Sequence, residues 1–172
     1  MQFCFVIGEH IVKIFKRVAV VAAVALFAAP LFAAEKLTTQ DFVEIEQLYA
    51  KYNHAIDSGD AEGWADTFTP DGVFNARFTG REALMGFIKT WKEGGGLSRR
   101  HWNSNLHVVG TAEGAKGAVY LMLWDVSAQP QKIFTTGIYE DVLVKNTGGW
   151  RFKSRVVKAD RPAAPPAAAP AK

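Results

Sequence analysis

From residue 38 onward the apolar positions recur first at helical spacing and later at strand spacing. In "TTQDFVEIEQLYAKYNHAIDSGD", Phe42, Ile45, Leu48, Tyr49, Tyr52 and Ile56 repeat every three or four residues, which predicts an amphipathic helix. Thr38, with Asp41 three residues on, forms a variant capping box, and Gly59 suits the left-handed position after the last turn. Asp60 caps a short second helix, "AEGWADTF", with Trp64 and Phe68 on one face. "TPDG" reads as a turn leading into a strand at "VFNARF". "GREALMGFIKTW" predicts a third helix with Leu84, Phe87, Ile88 and Trp91 inward. After the glycine-rich "KEGGGLS" the period drops to two. Four strands are predicted, in "RHWNSNLHVVG", "GAVYLMLWDV", "KIFTTGIYEDVLVK" and "GWRFKSRVVK", with turn-like segments between them. Helices first and long strands last make an α+β plan: a mainly antiparallel sheet covered by helices on one face. Long strands joined by short turns can curve around a helix and enclose an apolar cavity.

One stretch departs from the pattern of a core strand. In "RRHWNSNLHV" strict alternation puts His101, Asn103, Asn105 and His107 on one face and Trp102, Ser104, Leu106 and Val108 on the other. The polar row is expected to face inward and line a pocket. Trp102, with Leu106 and Val108, is expected on the outer face of the sheet as part of a homodimer interface.

The rest of the chain sets limits on function. Residues 18–29, "VAVVAAVALFAA", are apolar and uncharged, follow Lys13, Lys16 and Arg17, and are followed by Pro30 and the small residues Ala33 and Ala34. That is the plan of a secretory signal peptide, with an uncleaved anchor as the competing reading. The expected organisation is a signal peptide over 1–34, one domain over 35–160, and a Pro/Ala-rich tail over 161–172. The expected location is periplasmic or secreted, with no stable membrane anchor after cleavage. Cys4 is the only cysteine and lies in the leader, so the mature chain has neither disulfides nor thiolate chemistry. The leader holds three bases and one acid, which leaves the remainder near +1 of the total +3. No basic stripe with interleaved aromatics occurs, so nucleic acid is not an expected partner. No zinc, nucleotide or nucleophile-elbow motif occurs, and the expected site needs neither a metal nor a cofactor.

Four pieces, "YNHAIDSGDAEGWADTFTPDGVF", "GREALMGFI", "RHWNSNLHV" and "GIYEDVLVKNTGGWRFKSRVV", resemble in order the SnoaL-like branch of the nuclear transport factor 2-like superfamily. The resemblance implies a cone-shaped α+β barrel in which helices plug a curved sheet around a deep pocket, often in a dimer. Such proteins include polyketide cyclases, scytalone-dehydratase-like enzymes, ketosteroid isomerases and dioxygenase β subunits. By the resemblance, Asp57 matches an acidic residue at the end of the first helix, and His101 a histidine on the strand opposite. Asn105 matches a polar position four residues after that histidine. Dehydratase-like members carry a second histidine on the strand "KIFTTGIYED", where this chain has Thr135 and Thr136.

The site reading follows. Asp57 and His101 form an acid–base pair, and Asn103 and Asn105 hold a carbonyl or hydroxyl of the ligand. Tyr49 and Tyr52 are candidate pocket residues. Tyr49 lies about 80° from Asp57 around the helix and Tyr52 about 140°, so geometry favours the first while the resemblance favours the second. Trp64 is a core residue that also contributes to the pocket wall. Two functions stay open. One is cofactor-free dehydration, isomerisation or cyclisation of an apolar small molecule; the other is a non-catalytic ligand-binding or interaction module.

Overall fold

The computed structural model describes residues 36–160. The expected signal peptide and Pro/Ala tail lie outside the described residues.

The first helix, α1 (Thr39–Ser58), starts at the predicted capping box. Thr38 accepts from the Asp41 amide, and the Asp41 carboxylate accepts from the Thr38 amide. It ends at Gly59, whose φ of 71° is the left-handed conformation that glycine adopts without a Cβ penalty. Asp41 also accepts from Lys145 Nζ (2.7 Å) and Trp150 Nε1 (3.0 Å), which ties the start of α1 to the last two strands. Phe42, expected inward, is half exposed at the first turn.

The second helix, α2 (Ala61–Ala65), is shorter than predicted, because Phe68 already begins β1 (Phe68–Phe74). The predicted "TPDG" turn is therefore an irregular stretch within β1, where the pairing with the last strand, β6 (Gly149–Ala159), shifts register between Phe68 and Val73. The two-residue β2 (Phe78–Thr79) leads into α3 (Gly80–Glu93) and a 3₁₀ turn at Gly96–Ser98. The long strands are β3 (Arg99–Thr111), β4 (Gly114–Asp125), β5 (Lys132–Asn146) and β6 (Gly149–Ala159). The sheet order is β2-β1-β6-β5-β4-β3, antiparallel throughout except where β1 runs parallel to β6. Three helices thus pack against a six-stranded mixed sheet, the cone-shaped α+β plan expected from the sequence.

The centre of the cone is filled with side chains. Tyr52, Tyr139, Phe152 and Arg155 are all at most 2% exposed. Asp141 and Arg155 are direct partners across β5 and β6, and the guanidinium meets the carboxylate in two bonds of 2.8 Å each. The Tyr49 hydroxyl donates to the same carboxylate. The rings of Tyr52, Tyr139 and Phe152 lie 4.2, 4.2 and 3.9 Å from the guanidinium carbon. A charge removed from water is kept only when opposite charge and π-faces replace its hydration, and this cage supplies both. Burial opposes the Arg155 charge, and Asp141 outweighs it, so the guanidinium is held above its ordinary range.

Candidate functional site

The site is assembled where α1 crosses β3. Being the last strand of the sheet, β3 has one backbone edge free of strand partners. Near His101 that edge is met by α1. The His101 amide donates to Asp57 Oδ2 at 3.0 Å, and His101 Nδ1 lies 2.6 Å from Asp57 Oδ1. One carboxylate therefore bridges the backbone and the ring of a single residue. A carboxylate accepts only, so Nδ1 carries the proton and Nε2 is the basic nitrogen of the neutral ring. Nε2 has no hydrogen-bond partner among the described residues.

The imidazole side chain is 4% exposed and that of Asp57 13%. Both border an open cleft of about 470 Å³ over the edge of β3. Asn53, His54 and Ser58 line it from α1, Arg100 and Trp102 from β3. The indole of Trp91 stands 5.7 Å from the His101 ring. Trp91 is set by the glycine loop: a Cβ on Gly96 would lie 2.2 Å from the indole, so only glycine lets the 3₁₀ turn close over this ring.

A bulge decides the rest of the strand. Ser104 faces Tyr120 and His107 faces Ala118, so Asn105 and Leu106 together oppose Val119. Asn105 takes a φ of 56° there, a conformation Asn tolerates better than most residues. The extra residue reverses the alternation. His101 is buried and Asn103 partly so, but beyond the bulge Leu106 and Val108 pack against the core and Asn105 and His107 are exposed. The expected inward row therefore stops at Asn103, and Leu106 and Val108 do not belong to the outer face. Asn103 accepts from Asn53 Nδ2 at 2.7 Å, which closes the cleft on one side. Beyond this bridge a smaller groove of about 310 Å³ carries Tyr49, Asn103 and Asn105.

Among the expected site residues, the structure joins Asp57 with His101 and places Asn103 beside them, at the cleft's closed end. Tyr49 reaches the smaller groove by its ring and the Asp141 carboxylate by its hydroxyl. Its proton is held by burial and by that carboxylate, so its pKa lies well above the usual phenol range. Tyr52 and Trp64 are fully buried, packed with each other at 5.4 Å and with Phe68, and do not line the cleft. Large apolar rings on the inner side of α1 and α2 fill the cone centre instead of walling it. Asn53, His54, Ser58 and Arg100 were not singled out by the sequence. Asn53 and His54 sit four and three residues before Asp57 on α1, so helical spacing from Asp57 alone would have found both.

The model of the SnoaL-like domain family matches residues 38–156. A comparison with curated protein sequences finds no match. Among solved structures, a function-unknown protein from Mycobacterium tuberculosis is 29% identical, with a TM-score of 0.65 over 76% of this chain and 78% of that one. A Catenulispora acidiphila protein in complex with S-DNPA is 29% identical, with a TM-score of 0.63 over 71% of this chain and 95% of that one. A protein of unknown function with a cystatin-like fold from Nostoc punctiforme shows the same fold at 24% identity, with a TM-score of 0.67 over 73% and 96%. With the matched span running from the start of α1 into β6, the chain belongs to the SnoaL-like domain family of the nuclear transport factor 2-like fold.

Proposed function

We propose that the cleft over β3 is a small-molecule site in which His101 moves a proton and Asp57 holds its ring. The observation that carries this is the 2.6 Å contact between Nδ1 and Asp57, which fixes the tautomer and leaves Nε2 as the basic atom of the His101 ring, beside the cleft. Such a base can remove a proton next to a carbonyl and return it elsewhere, the shared step of dehydration, isomerisation and aldol-type cyclisation. Asn103, which accepts from Asn53 at the end of the cleft and donates one N–H to the Tyr120 carbonyl, has a second N–H left for an enolate oxygen. The bound S-DNPA in the Catenulispora structure supports a ligand role for this fold. No step in this reading requires a cofactor.

A test uses α-proton exchange of a bicyclic aromatic ketone, 2-tetralone, followed by NMR in D₂O. The protein accelerates exchange, and His101→Ala and Asp57→Asn each lower the rate by about 10²-fold or more while circular dichroism stays unchanged. Exchange that is equal in all three proteins removes the catalytic reading.

The second reading is a binding module without turnover. One observation favours it, that the Asp57 carboxylate also satisfies the His101 amide at the free strand edge; the family resemblance adds that Thr135 and Thr136 stand where a second histidine is expected in dehydratase-like members. It predicts ligand affinity that survives Asp57→Asn and no exchange at any pH.

Export and assembly belong to the same proposal. The leader reading places the mature domain in the periplasm or medium, and N-terminal sequencing of the recovered protein tests cleavage after Ala34. The outer sheet face carries Tyr120 and Ile133, about half exposed, with Trp124 between β3 and β5. A homodimer through this face would cover Tyr120 and Ile133 and leave Trp102, at the free edge of β3, open to the cleft, and Tyr120→Glu would then give a monomer in light scattering.

A further inference from the structure

The ligand class can be read from the charges around the cleft, given the reading that the cleft is the ligand site. Its one carboxylate, Asp57, has both oxygens engaged by His101. The Ser58 hydroxyl donates to the Ala55 carbonyl, and the Asn53 amide donates to Asn103. The polar groups left over are the acceptors Asn53 Oδ1 and His101 Nε2 and the side chains of His54 and Arg100, so no unengaged carboxylate faces the cleft. Arg100 spends only Nη1, on the Leu97 and Arg99 carbonyls, and has no acidic partner among the described residues. His54 has no hydrogen bond among them and stands exposed across the cleft. The carbonyls of Ala55 and Ile56 at the end of α1, which would repel an anion, are capped by the Asp60 and Gly59 amides.

The opposite rim is aromatic. Trp102 is 61% exposed and rests against Trp124 at 5.3 Å. Trp102 and Arg100 share the outer face of β3, whereas His101 points inward. A ligand lying over a strand edge meets side chains from both faces, which is why one cleft holds all three. A broad aromatic surface beside an unpaired guanidinium matches a flat ring system that carries a carboxylate.

We propose that the cleft takes a fused-ring aromatic acid, with its carboxylate on Arg100, its ring against Trp102 and its reacting carbon toward His101. Arg100 and Trp102 are then the specificity-determining residues of the site.

The test is calorimetric titration of the full chain with 2-naphthoate and with its neutral counterpart, 2-naphthalenemethanol. The acid binds about tenfold tighter than the alcohol, and high salt erodes the difference. Arg100→Gln brings the acid down to the affinity of the alcohol and leaves the alcohol unchanged. Trp102→Ala weakens both. Equal binding of the two compounds, with both weakened by Trp102→Ala, overturns the acid class while the cleft stands as a ligand site. Binding of either compound that none of Arg100→Gln, Trp102→Ala and His101→Ala alters overturns the class and the site together. No binding of either at about 1 mM overturns the class; the tetralone exchange then judges the site on its own.

Discussion

Two of this molecule's acid–base pairs sit in opposite surroundings. Asp141–Arg155 lies at the centre of the cone, with both side chains 0% exposed. Asp57–His101 lies at the free edge of the sheet, beside an open cleft. The first pair has every approach blocked by tyrosine and phenylalanine rings. The second leaves one ring nitrogen unspent. Polar residue type alone does not mark a site; the deciding feature is whether a reactive atom remains after the fold has used what it needs.

Breaking the central pair has the largest expected effect. Arg155→Met leaves the Asp141 carboxylate buried without its cation, a loss of about 3–5 kcal/mol in urea unfolding. Asp57→Asn is expected to cost less, about 1–3 kcal/mol, because the edge is reached by water that can replace the lost contact. Equal losses for the two variants would erase the contrast between centre and edge.

Alkali sharpens the same contrast. Burial pushes the Tyr52 hydroxyl up to about 12. A free tyrosine ionises near 10, so the unfolded chain releases this proton first. The stability it contributes is complete below about pH 10 and lost as pH rises toward 12. Absorbance of tyrosinate at alkaline pH should show the buried tyrosines, Tyr52 among them, ionising only with unfolding.

At the acid end, bonds from Lys145 first, then from Thr38 and Trp150, hold the Asp41 carboxyl well below its usual range. The unfolded chain binds the proton first as pH falls through about 4, so stability declines from there downward. Asp41→Asn flattens this acid limb of the melting-temperature profile and leaves the alkaline limb in place.

The smallest expected effect is at the bulge. Asn105→Gly relieves the positive φ and shifts stability by about 0.5 kcal/mol or less in the favourable direction, with gain set against the greater freedom of glycine when unfolded. Asn105→Val destabilises, because a β-branched residue resists that conformation.

Much of the fold was legible along the chain. The capping box of α1, the αL glycine that ends it, and three helices followed by four long strands all follow from local spacing. Asp57 and His101 were legible through the family resemblance, and the structure brings them into contact. Asn105 and His107 were misplaced because alternation assumes an unbroken ladder, and one bulge residue inverts every position after it. Tyr52 and Trp64 were read as wall residues of a central pocket that their own rings fill.

The sequence by itself determined what local forces set: helix starts and stops, the order of elements, the supply of one acid and one histidine able to pair, and the absence of cysteine beyond position 4. Only the tertiary structure decided where the open space lies. Volume depends on how side chains far apart in the chain pack against one another, and here Arg155 with its ring cage closes the centre of the cone. The candidate cleft forms at the strand edge, where a helix side chain ties down one histidine and leaves its second nitrogen free.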